Sequence, residues 1–180
     1  MPILSEYAQK KKINYFLKDI DKNSKVLEIG SGSQWLRDYM KKNGWTGYVG
    51  IDLDVRADIV GDIRSWQELG LKPKSFDYII AFEVVEHVDI FQECFELLKD
   101  DGKLMLTTPV PHMDWILKLL EVVGLNQKRT SPHDNLIYLN KIKLFTPVEL
   151  KSIAFLSQWG KFKKRNPIER THEISTKAGL

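Results

Sequence analysis

Cysteine is almost absent from this 180-residue sequence: Cys94 is the only one, so no disulfide can form within the chain and no cysteine cluster can hold zinc. No apolar run approaches the ~20 residues of a membrane-spanning helix. The opening segment, MPILSEYAQKKKINYFLKDI, is too polar for a secretory signal. Charge of one sign is also scarce, because 27 basic residues against 24 acidic ones leave a net charge of only +3. We therefore expect a cytoplasmic protein whose partners cannot be inferred from charge alone.

Strand and helix patterns alternate along the first 110 residues. Apolar runs predict strands at KVLEIG, TGYVGID, ADIVGDI, SFDYIIAFEVV and KLMLTTP, and helical spacing predicts a leading helix within residues 1–22 and helices at QWLRDYMKKNG and DIFQECFELLKDDG. This alternation predicts a single α/β domain over residues 1–180, with a mostly parallel twisted sheet and helices on both faces. Only about six residues separate the second and third strands, which is too few for a crossover helix. The third strand should therefore be short or displaced.

The second half shows weaker patterns. MDWILKLLEVVGL predicts a helix that is apolar over most of its surface, and TPVELKSIAFLSQWG predicts a helix with a threonine cap and a proline in its first turn. The remaining segment, KFKKRNPIERTHEISTKAGL, predicts one or two closing strands. Its lysine-rich start, KFKKR, is typical of an edge strand protected against aggregation.

The stretch VLEIGSGSQWL combines a buried strand, a glycine turn and the start of a helix, which is the usual nucleotide-binding arrangement of open α/β folds. A dinucleotide site would place a third glycine where Trp35 stands, and no Gly-Lys-Ser/Thr follows as in a P-loop. A phosphate group is therefore not expected at this turn. Glu28, just ahead of it, favours a cationic ligand instead.

Two more acids end the following strands. Asp52 lies 20 residues after Gly32, where a carboxylate can bind both ribose hydroxyls, and Asp62 ends the third predicted strand, where it can accept a hydrogen bond from an adenine amine. Together the acids predict an adenosine that carries a cationic, phosphate-free arm.

These segments resemble the class I S-adenosylmethionine (SAM)-dependent methyltransferases. VLEIGSGSQWL is similar to the first motif of that family, YVGIDLD to its ribose-binding strand, VGDI to its adenine-binding turn, and FDYIIAFEVVEHV with LLKDDGKLMLTTP to its fourth and fifth strands. The family commonly has a third glycine in this motif, and this chain has Ser33 in its place. The resemblance implies a Rossmann-like methyltransferase fold with a cofactor-binding core at residues 24–110 and acceptor-side and closing elements at 111–180.

The implied cofactor residues line the strand ends: Glu28, Gly30, Ser31, Gly32, Asp52, Leu53, Asp62, Ile63, Phe82 and Glu83. The sequence looks most like the small-molecule branch called type 11, which includes the ubiquinone-biosynthesis O-methyltransferases. We therefore expect SAM as cofactor and methyl transfer to a small molecule, at oxygen.

The acceptor chemistry points to the segment EVVEH. Glu83, Glu86 and His87 have i, i+3, i+4 spacing and would share one face of a helical turn. The pattern is similar to metal sites of ubiquinone-pathway and small-RNA 2′-O-methyltransferases, so Mg²⁺ is a further predicted cofactor, with His133 or His112 as an additional ligand. The alternative is that these residues cap the next helix and shape the pocket. His87, His112 and His133 are the candidate catalytic bases.

Two other functions stay open. An RNA methyltransferase would use EVVEH and the basic C-terminal stretch, and a non-catalytic member would bind the cofactor without turnover. The apolar residues Trp115, Ile116, Leu119 and Leu120 would either cover an acceptor or form core or a dimer contact. We expect a small-molecule acceptor as partner and neither a membrane span nor a nucleic-acid partner, and a homodimer is left open.

Overall fold

A computed structural model of the chain describes residues 3–111 and 137–165. The predicted helix MDWILKLLEVVGL and the segment after Arg165 lie outside the described residues, as do His112 and His133.

The helices and strands follow each other in the predicted order through residue 109. The helices are α1 (Ile3–Lys12), which continues as a π-helical turn (Ile13–Leu17), α2 (Trp35–Lys42) and α3 (Phe91–Leu97). The strands are β1 (Val26–Ile29), β2 (Tyr48–Asp52), β3 (Ile59–Val60), β4 (Phe76–Phe82), β5 (Leu98–Pro109), β6 (Phe145–Ile153) and β7 (Ser157–Lys164). Short 3₁₀ turns occupy Ile63–Ser65 and Leu139–Lys141.

The described strands form one seven-stranded sheet in the order β3-β2-β1-β4-β5-β7-β6. The first five pair in parallel, whereas β7 runs antiparallel to β5 and to β6. This is the predicted mostly parallel sheet. As expected from the short link after Asp52, β3 has only two residues. Because β1, β2 and β4 are parallel neighbours, the loops that follow them meet at one edge of the sheet.

Side chains of β1 alternate between two hydrophobic cores, one on each face of the sheet. Leu27 and Ile29 belong to the core that also contains Cys94 and Leu97 of α3. Val26 belongs to the core on the other face, which includes Phe16, Leu17, Leu36 and Met40 from the N-terminal helix and α2. Helices therefore cover both faces, as the alternating pattern predicted.

The segment predicted as a helix from Thr146 to Gly160 is instead a β-hairpin. β6 and β7 pair with each other from Phe145↔Lys164 to Ile153↔Ser157, and β7 also pairs with β5 along seven residue pairs from Lys103↔Lys163 to Pro109↔Ser157. The local helix-start signal was real but weak, and the long ladder with β5 outweighs it, since intrinsic propensity is routinely overridden by tertiary context.

The lysine-rich segment KFKKR does not lie on an edge strand, because β7 is sandwiched between β5 and β6. Lys161 pairs with Glu149 across the hairpin at 3.2 Å. Lys164 is buried, donates to the Leu98 carbonyl and lies 3.6 Å from Asp100. Lys161 therefore joins the two strands of the hairpin and Lys164 joins the hairpin to β5, whereas β6, which contains Pro147, is the edge strand.

Candidate active site

The glycine turn after β1 approaches the segment that follows β4 very closely. Gly30 has φ +77°, and a Cβ atom at this position would lie only 2.4 Å from Cγ2 of Val84. Its amide donates to the Ile51 carbonyl at 2.9 Å. Only glycine satisfies both the left-handed backbone and the close contact. The turn is thus fixed between the ends of β2 and β4.

Asp52, the predicted ribose ligand, connects the turn to the loop after β2. One carboxylate oxygen accepts a hydrogen bond from the Gly32 amide at 2.7 Å, and the other accepts from the Asp54 amide at 2.9 Å. Beside it, the side chain of Leu53 is 74% exposed. The structure therefore places Asp52, Gly32 and Leu53 together at the sheet edge, with the apolar Leu53 open to a ligand.

Glu28 lies behind the turn rather than at its open side. It is only 3% exposed, and the Tyr48 hydroxyl donates to its carboxylate. The parallel register of β1 and β2 explains the contact, because Val26 lies opposite Tyr48 and Glu28 follows two residues later on the same face. Burial, aided by the charge of Asp52, raises the pKa of Glu28 to about 7 even though the Tyr48 hydrogen bond acts in the opposite direction.

The acids after β2 and β3 are paired with arginines from their own loops. Asp62 accepts from the Arg64 amide at 2.9 Å and forms an ion pair with its guanidinium at 2.5 Å, and this pairing lowers the pKa of the carboxyl. Asp54 and Arg56 form the same kind of pair at 2.7 Å. The following residue, Ile63, is buried. Asp62 thus starts the 3₁₀ turn and holds Arg64.

The glycine-like residue of the turn is Gln34, not Ser33 as the sequence suggested. Gln34 has φ +65°, in the left-handed region, and is 3% exposed. Its side-chain amide donates to the Ser31 hydroxyl at 2.9 Å and to the Gly32 carbonyl at 3.3 Å. Ser31 is 2% exposed. Gln34 was missed because glutamine rarely adopts this conformation, although the two-residue spacing of Gly30 and Gly32 continues to position 34.

On the acceptor side, Glu83 follows β4 directly and Glu86 lies three residues later. An oxygen of Glu83 accepts from the Thr107 hydroxyl at 2.7 Å and from the Lys12 ammonium at 3.0 Å. Glu86 is 1% exposed and accepts from the Thr108 hydroxyl at 3.0 Å, and the two carboxyl groups are also hydrogen-bonded to each other. The ends of β4 and β5 therefore carry a carboxyl pair held by two threonines and a lysine.

The two carboxyls differ in protonation. Burial, followed by the charge of Glu83, raises the pKa of Glu86 to about 8. Desolvation also acts to raise the pKa of Glu83, but the Lys12 ammonium and the Thr107 hydroxyl outweigh it and hold that pKa below its ordinary value. At neutral pH the pair therefore shares one proton, which resides mainly on Glu86.

The expected helical face at EVVEH is not formed. Glu83 has φ +58°, and the segment after it is a single turn in which the amides of His87 and Val88 donate to the Val84 carbonyl. No group of three or more His, Cys, Asp or Glu side chains in the part of the chain that the structure describes is arranged to hold a metal ion. The described residues therefore give no support to the Mg²⁺ prediction, and the further ligand His133 lies outside them.

The N-terminal helix also reaches this site, which the sequence did not indicate. Besides its bond to Glu83, the Lys12 ammonium lies 4.9 Å from the centre of the Phe82 ring. Trp35, the first residue of α2, stacks against the same Phe82 ring, with the two ring centres 6.1 Å apart. Phe82 and Glu83 thus lie between α1, α2 and β5.

The chain matches the family described as "Methyltransferase domain" over residues 4–155, which is most of its length. The chain belongs to this methyltransferase family. No curated protein matches it. The methyltransferase predicted from the sequence motifs is therefore confirmed, and SAM dependence is supported by the family.

Solved structures share the fold. The PH0226 protein of Pyrococcus horikoshii OT3 superposes with a TM-score of 0.63 at 18% identity, covering 89% of this chain and 91% of its own. Geranyl diphosphate C-methyltransferase of Streptomyces coelicolor A3(2) gives 0.56 at 12%, covering 89% and 79%. Phosphoethanolamine N-methyltransferase 2 of Haemonchus contortus gives 0.59 at 16%, covering 89% and 53%. At such identities these likenesses confirm the Rossmann-like methyltransferase fold.

The edge of the sheet fits SAM chemically. It offers the carboxylate of Asp52 for hydroxyl groups, the open apolar side chain of Leu53 for a flat ring, and a glycine turn with no lysine or arginine side chain of its own for a cationic arm. It also contains an amide oxygen on Gln34 that is buried without a hydrogen-bond partner among the described residues. Separately, no helix within the described ranges has the length and apolar character needed to cross a membrane.

Proposed function

We propose that the protein transfers the methyl group of SAM to a hydroxyl oxygen of a small molecule. The observation that carries this proposal is the Glu83–Glu86 pair at the ends of β4 and β5, directly beside the glycine turn. A hydroxyl acceptor must lose its proton when it is methylated, so a carboxylate at this position has a chemical purpose. The type 11 subtype and a cytoplasmic location belong to the same proposal.

Glu83 is suited to accept that proton. Its side chain is 41% exposed, so an acceptor can reach it, whereas Glu86 is buried. Lys12 and Thr107 hold the Glu83 carboxylate ionised and fix its position. Glu86 carries the proton of the pair and hydrogen-bonds to Glu83, which lets the incoming proton be shared over both carboxyl groups.

SAM, when bound, supplies a methyl group on a positively charged sulfur; a new O–C bond forms, the C–S bond breaks with its electron pair staying on sulfur, and S-adenosylhomocysteine (SAH) leaves. The role of the chain is to hold and align the reactants and to take the hydroxyl proton on Glu83. Alignment alone supplies much of the rate for such a good leaving group. Glu83 therefore assists the reaction, and the alignment of the two reactants at the sheet edge contributes most of the rate.

The residues predicted to bind SAM are retained in this proposal: Glu28, Gly30, Ser31, Gly32, Asp52, Leu53, Asp62, Ile63 and Phe82. Glu28 contributes by holding Tyr48 and the turn from behind. Among the candidate bases, His87 is the next choice after Glu83, and His112 and His133 stay sequence predictions. We do not propose Mg²⁺ as a cofactor.

A small acceptor fits the structural neighbours, which include methyltransferases solved in complex with geranyl diphosphate and with phosphomonomethylethanolamine. Those two proteins methylate carbon and nitrogen by name, so the oxygen preference rests on the Glu83–Glu86 pair alone.

The test is to incubate the protein with SAM labelled at the methyl group and a fractionated cell extract, and to follow the label. We expect it in a small-molecule fraction, and nuclear magnetic resonance of the product should place the new methyl on oxygen. Label in nuclease-sensitive material would instead support RNA methylation. A methyl on nitrogen or carbon would contradict the oxygen acceptor, and SAM binding without transfer to any fraction would support a non-catalytic role.

A further inference from the structure

Gln34 is an unusual residue for the place it occupies. A glutamine in the left-handed region is strained, and glycine would avoid that strain. The residue is nevertheless only 3% exposed, and its side chain folds back over the turn instead of pointing to solvent. A long polar side chain retained under strain and burial suggests a function for its amide.

The orientation of that amide is set by its neighbours. The Nε2 group donates both to the Ser31 hydroxyl and to the Gly32 carbonyl, so the opposite assignment of Nε2 and Oε1 would bring two oxygens together at Gly32. Oε1 is therefore the free acceptor, and it has no hydrogen-bond donor among the described residues. An unsatisfied buried acceptor of this kind calls for a donor from a ligand.

An ammonium group suits such an acceptor, because it carries only hydrogen-bond donors and its charge strengthens the bond. Of the carboxylates nearby, Glu28 lies buried behind the turn and accepts from the Tyr48 hydroxyl, and Asp52 is the group proposed to bind the ribose hydroxyls. We propose that Oε1 of Gln34 accepts a hydrogen bond from the α-ammonium group of the methionine arm of SAM. This inference depends on SAM as cofactor and not on the identity of the acceptor.

The test compares three ligands by calorimetric titration of the wild type and of Gln34→Gly. SAH carries the ammonium; an SAH analogue in which hydrogen replaces the α-amino group lacks only that; and 5′-methylthioadenosine lacks the whole amino-acid arm. We expect Gln34→Gly to bind SAH about tenfold more weakly, as for a lost hydrogen bond to a charged group. Its affinity for the other two ligands should match that of the wild type.

Glycine is chosen because it adopts φ +65° without strain, and this relief opposes the loss of the side-chain contacts of Gln34. An unchanged or higher apo Tm together with weaker SAH binding separates a ligand contact from a purely structural role. The matched control is Gln67→Gly, at an exposed glutamine outside the turn, which should leave SAH binding unchanged.

Two results would overturn the inference. One is that Gln34→Gly binds SAH as tightly as the wild type or more tightly, which would mean that the amide only fills the turn. The other is an equal loss for all three ligands, which would mean that the turn itself is disturbed. If the wild type binds none of them, SAM is not the cofactor, a failure distinct from either.

Discussion

Two buried carboxyl groups, Glu28 and Glu86, flank the same sheet edge and differ in what surrounds them. Both are almost fully buried, and both have a pKa raised by burial, to about 7 and about 8. Glu28 faces the hydroxyl of Tyr48, inside the core that α1 and α2 cover. Glu86 faces a second carboxyl, Glu83, that opens to solvent. The two groups thus share burial and a raised pKa but differ in whether their partner is exposed.

The largest expected effect separates the two groups by activity. Glu83→Gln removes the exposed proton acceptor, and we expect kcat to fall about 100-fold, the lower range for a general base. Glu28→Gln should change kcat only a few-fold, because Glu28 contacts no acceptor. Steady-state kinetics with the identified acceptor measures both, and Glu68→Gln is the matched exposed control. A change in cofactor Kd with kcat intact would instead assign Glu83 to the cofactor, as its sequence motif suggested.

The stability of the fold should depend on the contact of Glu28 with Tyr48. Tyr48→Phe removes the donor to Glu28 and leaves a buried carboxyl without its partner, which should lower the free energy of unfolding by about 1–3 kcal/mol. Urea denaturation measures this, with Tyr7→Phe as control because Tyr7 is 59% exposed. A variant as stable as the wild type would show that the Tyr48–Glu28 contact contributes nothing net.

The pH dependence of stability sharpens the comparison further. Because each of these two carboxyls binds its proton more tightly in the folded state than in the unfolded chain, its contribution to stability is full below about pH 4.5. That contribution falls as pH rises, until about pH 7 for Glu28 and about pH 8 for Glu86. Between pH 7 and 8 the wild type should lose roughly 1 kcal/mol more than Glu86→Gln does. Urea denaturation of both proteins between pH 7 and 8 measures this difference. If the free energy of unfolding depends on pH equally in both, the raised pKa does not belong to Glu86.

The smallest effect concerns Lys12. Lys12→Met removes the ammonium that lowers the pKa of Glu83, so the acidic limb of the kcat profile should move to higher pH, by less than about one unit because the pair is partly exposed. Lys10→Met, in the same helix, is the control. An unshifted profile would mean that Glu83 does not titrate in the reaction.

Residues 24–110 were predictable because their signals are local and repeated. Apolar runs located β1, β2, β4 and β5, and the short Asp52–Asp58 link predicted that β3 would be short, as its two residues confirm. The hairpin of β6 and β7 could not be predicted, because the choice between helix and strand there depends on pairing with β5, some fifty residues earlier in the chain. The local sequence of a strand does not show that it will pair with a strand distant in the chain.

The site was predictable only in part for the same reason. Acids at strand ends pointed to Glu28, Asp52 and Asp62, but their partners come from backbone geometry and from other elements. Tyr48 reaches Glu28 through the parallel register, and Lys12 reaches Glu83 from a helix 71 residues earlier. The paired threonines at the end of KLMLTTP were the one missed signal visible in the sequence.

The most direct test of the central claim, that the edge formed by β1 and β2 binds SAM, is calorimetric titration of SAM into the wild type, Asp52→Ala and the control Asp54→Ala. We predict one-to-one binding that Asp52→Ala weakens by about 1.5–3 kcal/mol, the range for hydrogen bonds to a charged group, and that Asp54→Ala changes little. An absence of binding heat, or equal affinities for the wild type and Asp52→Ala, would contradict the claim.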